Sequence, residues 1–556
     1  MNADPARLRE DALLAEAESK GTLGKAAIYT RLSGPGWLQG AITLGGGSLA
    51  GALYLGVIMG YEMMWLQPVA MILGVIMLSA ISYVTLSTGE RPFHTLKHHV
   101  SPVLAWGWLI ATMMANIVWC LPQFALGTAS VQQNLIPSLD TANGKIGVAA
   151  VLLIVSATVV WFYNSGSAGI KLFEMILKGL VGIVVLSFFG VVAAMTLQGA
   201  LDWSEIFAGL VPNAKYLFEP VPAMADSIAR TGVHAEWWNA TIANIQKDRI
   251  ITGFATAVGV NMSFLLPYSM LRKGWGLRHR GLAIFDLSLG LIIPFVLATG
   301  CVVIAAASQF HARSEDVLAM VADGNTSAKE VKSYYKFTDM RLKAAGVSDD
   351  EIESSRAGLP EADRKLAAML AERDNLSLAK TLSPMVGDAV AQKLFGIGVL
   401  GMALSTIIIL MLINGFAFCE LIGVPCEGKW HRIGSMVPAV GVVGPFVWGS
   451  AAPALATPTS VIGGAMLPIA YFSFLLLMNS KLTLGDSMPT GGKRVLWNTL
   501  MILATTVAML ASAWGIHEKS MYGFPIGKFA IGLLVLLLVL GLLGFLKRES
   551  AAKAGK

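Results

Sequence analysis

The sequence predicts an all-α polytopic membrane protein of about twelve transmembrane helices. It further predicts a five-plus-five inverted repeat in which helices 1 and 6 are unwound. Three observations carry this. The 556 residues are 55% hydrophobic and 14% charged, with a mean hydropathy of +0.64, far outside the soluble range. Apolar stretches long enough to cross a bilayer recur along the chain. Two of them, five apart, are interrupted at their middles: by Gly45, Gly46, Gly47 and Ser48 in the first, and by Gly259, Asn261, Ser263 and Pro267 in the sixth. Each glycine costs a helix about 1 kcal/mol relative to alanine. Lipid tolerates unwound backbone only where protein or a water-filled cavity satisfies it. Paired breaks at mid-membrane depth therefore mark a candidate substrate site.

The elements follow in order. Residues 1–33, containing DPARLREDALLAEAESK, read as a polar, helical cytoplasmic tail with no cleavable signal peptide. Apolar spans run roughly over 34–60, 61–86, 103–130, 146–164 and 170–196, and these form the first five-helix repeat, 34–196. Residues 197–248 are an extracytoplasmic connection. The second repeat, 249–480, holds spans at 249–271, 283–309, 391–420, 433–450 and 459–480. Within it, about 310–380 is charged and helically spaced, so it is expected as a small helical insertion outside the membrane. Residues 481–546 add two spans, 495–515 and 525–546, before a cytoplasmic tail at 547–556.

Orientation follows from basic residues in short loops. With the N-terminus inside, the inner loops hold twelve Lys/Arg: Arg91, Lys97, Lys171, Arg272, Lys273, Arg278, Arg280, Lys429, Arg432, Lys481, Lys493 and Arg494. The short outer loops hold three, Lys145, Lys519 and Lys528. The expected location is thus integral to a bacterial inner (cell) membrane, with both termini cytoplasmic and the lipid bilayer as an obligatory partner.

The net charge of +6 follows from these loops and does not point to nucleic acid. The four cysteines (Cys120, Cys301, Cys419, Cys426) have no metal-ligand spacing and read as small packing residues. No HExxH, GxSxG or phosphate loop occurs in a plausible context, so no enzyme is expected and no cofactor is called for. Polar residues inside the spans are candidates for the cavity or its gates: Gln39 and Thr43 beside the first break, Asn116 and Gln123 in span 3, Tyr268 after Pro267, and Asn414 in span 8. Interhelical hydrogen bonding is the plainer account of most of them. Glu174 and Lys178, four apart on span 5, are expected to pair. Asp286 and Glu420 lie near span ends, where they can reach water. The group His94, His98 and His99 reads as a solvated basic loop.

At this point a family is recognisable. The chain resembles the NRAMP divalent-metal transporters over most of its first ten spans. The likeness lies in GPG at Gly34–Gly36, Gly60–Tyr61 followed by Trp65, TGE at Thr88–Glu90, LVP at Leu210–Pro212, and LSPMVGDAVAQKLFGIGVLGMALST at 382–406. The resemblance implies a LeuT-type fold and alternating-access transport of a metal ion. The insertion is outside the usual pattern.

The departures fall on the metal site. The family's Asp-Pro-Gly-Asn in span 1 is replaced by Gly45, Gly46, Gly47 and Ser48, and its Met-Pro-His in span 6 by Asn261, Met262 and Ser263. The second span-6 histidine falls on Tyr268. Remaining candidates for the substrate site are Gly45, Gly46, Gly47, Ser48, Gly259, Asn261, Met262 and Ser263; if a metal binds, Ser48, Asn261, Met262 and Ser263 are its candidate ligands. A bare dication without a counter-charge is costly to bury, which argues against a tight transition-metal site. Mg²⁺ or another weakly bound ion, held through its waters by neutral oxygens, suits the residues better. A small organic solute such as an amino acid or a neutral polar molecule suits them equally, because glycine-rich breaks expose N–H groups that favour a carboxylate. A non-transporting sensor is the third reading, with no positive support. The resemblance tips the balance to a divalent cation.

Overall fold

In the computed structural model, residues 5–163, 175, 179, 182, 185–186, 188–373, 375–383, 387–426, 428–447, 455–520 and 523–554 are described. Two helices, α1 (Pro5–Ser19) and α2 (Thr22–Leu32), precede the first broken span, α3 (Pro35–Thr43) and α4 (Gly46–Met59). Then come α5 (Leu66–Thr88), α6 (Pro102–Ala129), α7 (Ala142–Tyr163), α8 (Ala235–Ala257) and α9 (Met262–Arg272). Span α10 (Leu277–Phe310) follows. The insertion contributes α11 (Glu315–Ala322), α12 (Lys329–Ala344) and α13 (Glu361–Met369). The chain continues through α14 (Asp388–Ile422), α15 (Lys429–Ser435), α16 (Ala456–Met478), α17 (Gly491–Ile516) and α18 (Ile526–Ala554).

Among the described residues nine helices are long and apolar enough to cross a membrane, and the bent pair α3–α4 makes a tenth. Of the twelve expected spans, the first half of the fifth lies largely outside the described residues, and with it Lys171, Glu174 and Lys178. The ninth, 433–450, is not one long helix. Its described part is the end of α15, a 3₁₀ stretch at Val437–Val443 and one turn at Gly444–Val447. Pro438 and Pro445, with glycines at 441 and 444, keep it from a continuous α-helix.

Both expected breaks are present, with sharper borders than the sequence suggests. Span 1 bends by 51°. The residues out of helical geometry are Leu44 (φ −80°, ψ 39°) and Gly45 (φ −90°, ψ −179°), so Gly46, Gly47 and Ser48 form the first turn of α4. Span 6 breaks over Val258–Asn261, with Val258 extended (φ −140°, ψ 106°). Met262 and Ser263 open α9, and Pro267 lies inside that helix. The broken spans lie side by side, α4 on α8 and α3 on α9, which sets both breaks at one level.

Glycine lets α3 approach α10. A Cβ on Gly36 would sit 2.2 Å from the Asp286 carbonyl oxygen, and one on Gly40 2.4 Å from that of Gly290. This is the small-residue packing that membrane helices use in place of a hydrophobic drive. Asp286 does not reach water as its position near a span end suggested. It is 1% exposed and accepts from the backbone N–H of Gly34 (3.0 Å) and of Gly36 (2.6 Å). A buried carboxylate thus caps the N-terminus of α3, where the helix dipole favours negative charge.

The insertion segment carries the helices α11–α13, is held together by ion pairs and is tied to the bundle by a hydrogen bond from α8. Arg341 Nε and Trp238 Nε1 of α8 both donate to Asp363 Oδ1 at 2.7 Å. Arg373, 0% exposed, pairs with Asp316 at 3.2 Å.

Candidate functional site

The two breaks enclose a cavity of about 40 Å³, room for a few waters or a small, partly hydrated ion. From the first broken span it is lined by Thr43, Gly47 and Ser48; from the second by Thr256, Gly259, Asn261 and Met262. Trp119 and Gln123 of α6, Thr406 of α14, and Thr459 and Ser460 of α16 complete its polar wall. No lining residue is charged. Among the described residues no three His, Cys, Asp or Glu side chains group as a metal centre. The break residues are withdrawn from solvent: Ser48 is 3% exposed, Asn261 0% and Met262 2%.

The half-helices stitch the site together. Thr43 Oγ1 donates to Met262 Sδ at 3.2 Å, tying the end of α3 to the start of α9. Ser48 Oγ donates to the Thr256 carbonyl at 3.1 Å, tying the start of α4 to the end of α8. The second bond satisfies a carbonyl in the last turn of α8 that the broken helix would otherwise leave open. Gly45 does not line the cavity. A Cβ there would lie 1.9 Å from Thr406 Oγ1, and one on Gly46 2.6 Å from Gln123 Oε1. These two glycines let α14 and α6 close on the break.

The other candidates divide by what they touch. Ser263 is 0% exposed and lies behind the cavity. Its hydroxyl accepts from Trp108 Nε1 at 2.8 Å and donates to the Val260 carbonyl. Asn116 and Asn414 are also behind the wall, Asn116 accepting from Asn261 and donating to Asn414. Gln39 is fully buried away from the cavity, and both its amide atoms lack a partner among the described residues. Gln123 Oε1, Asn261 Oδ1 and Ser460 Oγ are likewise buried without a partner, and their residues line the cavity. The sequence reading missed Thr256, Thr406, Trp119, Thr459 and Ser460. The Thr-Pro-Thr-Ser run at 457–460, opening an apolar span, was the signal for the last two.

Closed layers lie on both sides. Towards the insertion, Tyr54 OH donates to the Arg373 carbonyl at 3.1 Å and accepts from its N–H at 3.3 Å. Arg249 stacks 4.2 Å over the Tyr54 ring and pairs with Glu372 at 3.8 Å. Towards the tails, the rings of Trp108, Phe264, Tyr268 and Phe416 follow one another at 4.6, 5.0 and 5.0 Å. Below them Tyr268 OH donates to Glu420 Oε1 at 2.6 Å, and Arg91 Nη1 to the same oxygen at 2.9 Å. Glu420, like Asp286, is engaged by protein. The expected basic loop after α5 is a short helical segment, Pro92–Val100, in which the His94 and His98 rings meet tilted at 4.3 Å, away from the cavity.

Known proteins share this chain's family and fold. The family model described as natural resistance-associated macrophage protein-like, Nramp, matches residues 36–331 and 367–517. The unmatched stretch between them falls in the insertion. No curated protein sequence matches the chain. Among solved structures, the Eremococcus coleocola manganese transporter in complex with an aromatic bis-isothiourea substituted compound is similar at 12% identity and a TM-score of 0.62, over 96% of this chain and 97% of that one. A point mutant of the same transporter matches at 11% identity and a TM-score of 0.61, over 94% and 96%. At such identity these structures speak for the fold, while the family model spans most of the sequence: the chain belongs to the Nramp family.

Proposed function

We propose that the protein carries a divalent metal ion across the membrane by alternating access, holding it between the two breaks through neutral oxygens and retained water. The observation that carries this is a pair of amide oxygens, Gln123 Oε1 and Asn261 Oδ1. Both are buried without a partner, on residues that line one small cavity. An unmet buried acceptor costs about 1–3 kcal/mol, and a cation or its water relieves it. Oxygen ligands without carboxylate or imidazole suit a hard, reluctantly dehydrating ion such as Mg²⁺ better than a softer transition metal. Manganese is what the similar Eremococcus coleocola structure is named for, and it is the natural competitor to test. The basic-loop asymmetry supports placing both termini in the cytoplasm and the insertion outside.

The N-termini of α4 and α9 support a second reading. Gly47 and Ser48 open one helix, Asn261 and Met262 the other, and all four line the cavity. Helix N-termini favour a carboxylate, hence a small organic solute. Liposome uptake decides. Protein-dependent entry of Mg²⁺ or Mn²⁺, weakened about tenfold by Asn261→Ala or Gln123→Ala as one ligand is lost, upholds the ion. Uptake of a labelled amino acid with no divalent flux overturns it in favour of the solute.

A further inference from the structure

The asparagines behind the cavity form a directed chain. Asn261 Nδ2 donates to Asn116 Oδ1 at 3.0 Å. Asn116 Nδ2 donates to Asn414 Oδ1 at 3.5 Å. Asn414 Nδ2 donates to the Gly434 carbonyl at 2.8 Å. All three side chains are 0% exposed, and they come from the break just before α9, from α6 and from α14, with the terminus on α15.

The chemistry of the last link fixes the direction of every other. A backbone carbonyl only accepts, so Asn414 must present its NH₂ to Gly434 and its oxygen to Asn116. Asn116 must then present its NH₂ to Asn414 and its oxygen to Asn261, and Asn261 must donate in turn. Turning any one amide over would set two oxygens or two NH₂ groups against each other in a buried place. The end left over is Asn261 Oδ1, an acceptor with no partner, on a residue that lines the cavity. Gly259 makes room for it: an added Cβ there would lie 2.6 Å from that oxygen.

We infer that Asn116 and Asn414 are positioning residues for the transported cation, which hold the Asn261 side-chain amide oxygen, Oδ1, towards it by a relay anchored on the Gly434 carbonyl. The inference rests on the cation reading above. It adds that the ligand's orientation is decided by residues that never touch the ion, and that the short helix α15 is part of the device. A selective oxygen ligand needs its orientation locked by partners behind it, as metal ligands generally do.

The test uses the full chain in liposomes, with uptake of Mg²⁺ and Mn²⁺ followed against concentration. Wild-type uptake of neither ion overturns the cation reading. The relay has its own signature. Asn414→Leu raises the KM for the ion about tenfold with the maximal rate within about twofold of wild type, and it adds nothing further in an Asn261→Ala background. An asparagine with a merely structural role would lower the maximal rate and add its loss to that of Asn261→Ala. Either result, or an unchanged KM, overturns the relay. Should Asn414→Leu not fold, Asn116→Ser interrupts the chain at its middle and is read the same way. Thermal melting of these variants gives a readout that needs no transported ion. Asn261 and Asn414 are bridged by Asn116, so their melting shifts are non-additive while Asn116 is present and become additive in Asn116→Ala. Additive shifts with Asn116 in place overturn the relay whichever solute is carried.

Discussion

Residues at the two breaks act through space as much as through chemistry. Gly45 and Gly51 lie on the same span and fare differently. A Cβ at Gly45 meets Thr406 Oγ1 at 1.9 Å and the Ile42 carbonyl at 2.9 Å, whereas one at Gly51 meets nothing nearer than Thr252 Cγ2 at 3.5 Å. Gly45→Ala is expected to abolish the monodisperse folded protein. Gly51→Ala is expected to be tolerated, or to stabilise α4 by up to about 1 kcal/mol through helix propensity. Thermal melting in detergent separates the two. His311, just beyond α10, supplies a pH effect. Its Nδ1 lies 3.2 Å from the Val57 carbonyl. Burial pushes its pKa down, partly opposed by that carbonyl. With the folded value depressed below the unfolded one of about 6.5, its contribution is full above the unfolded value and is lost as the pH falls through the lower folded one. Melting temperature is expected to drop on acidification from about pH 7 to about pH 5, with a shallower drop in His311→Gln. An unchanged slope in that variant would remove His311 as the cause.

Elements explain what the sequence could and could not display. The breaks were legible because glycine and asparagine in an otherwise apolar span violate helix propensity at the place where lipid forbids it. Their exact borders were not, because propensity cannot say which glycine is unwound and which merely lets a neighbour close in. The insertion's helices were legible from charge and spacing, but not its attachment. Asp363 of α13 binds both Arg341 of α12 and Trp238 of α8, residues that are remote in sequence and buried together. Removing one partner of a buried ion pair costs about 3–5 kcal/mol. Asp363→Ala is therefore expected to loosen the insertion alone. Limited proteolysis should then cut between 323 and 360 while the membrane-embedded fragments stay associated. Cleavage throughout the bundle would mean that the insertion and bundle fold as one unit.

At the scale of the molecule, the cavity lies between two closed layers, one built from Tyr54, Arg249 and the insertion segment at Arg373, the other from the aromatic stack and Glu420. Alternating access requires one layer to open while the other holds. Glu420 joins α9 through Tyr268 and the α5–α6 loop through Arg91, so Glu420→Ala is expected to favour opening on the tail side. A thiol introduced as Met262→Cys, with Cys120, Cys301, Cys419 and Cys426 replaced, should then react several-fold faster with a water-soluble reagent than in the parent. An equal rate would locate the gate elsewhere.

The sequence by itself determined the class of molecule, the paired breaks and the loss of charge at the family's metal site. These are properties of composition and order: hydropathy sets what crosses lipid, and a missing carboxylate is missing in any conformation. The family resemblance, carried by Gly34–Gly36, Thr88–Glu90 and the run into span 8, was visible for the same reason. Tertiary structure decided which polar atoms meet. Ser263 looked like a ligand and is turned to Trp108, Asp286 looked solvated and caps α3, and Ser460 and Thr406 come to the cavity from distant spans. The direction of the Asn261 amide is set by a carbonyl at Gly434, on another helix. A hydrogen bond has a donor and an acceptor end, and only the packing of four helices decides which end is left facing the cavity.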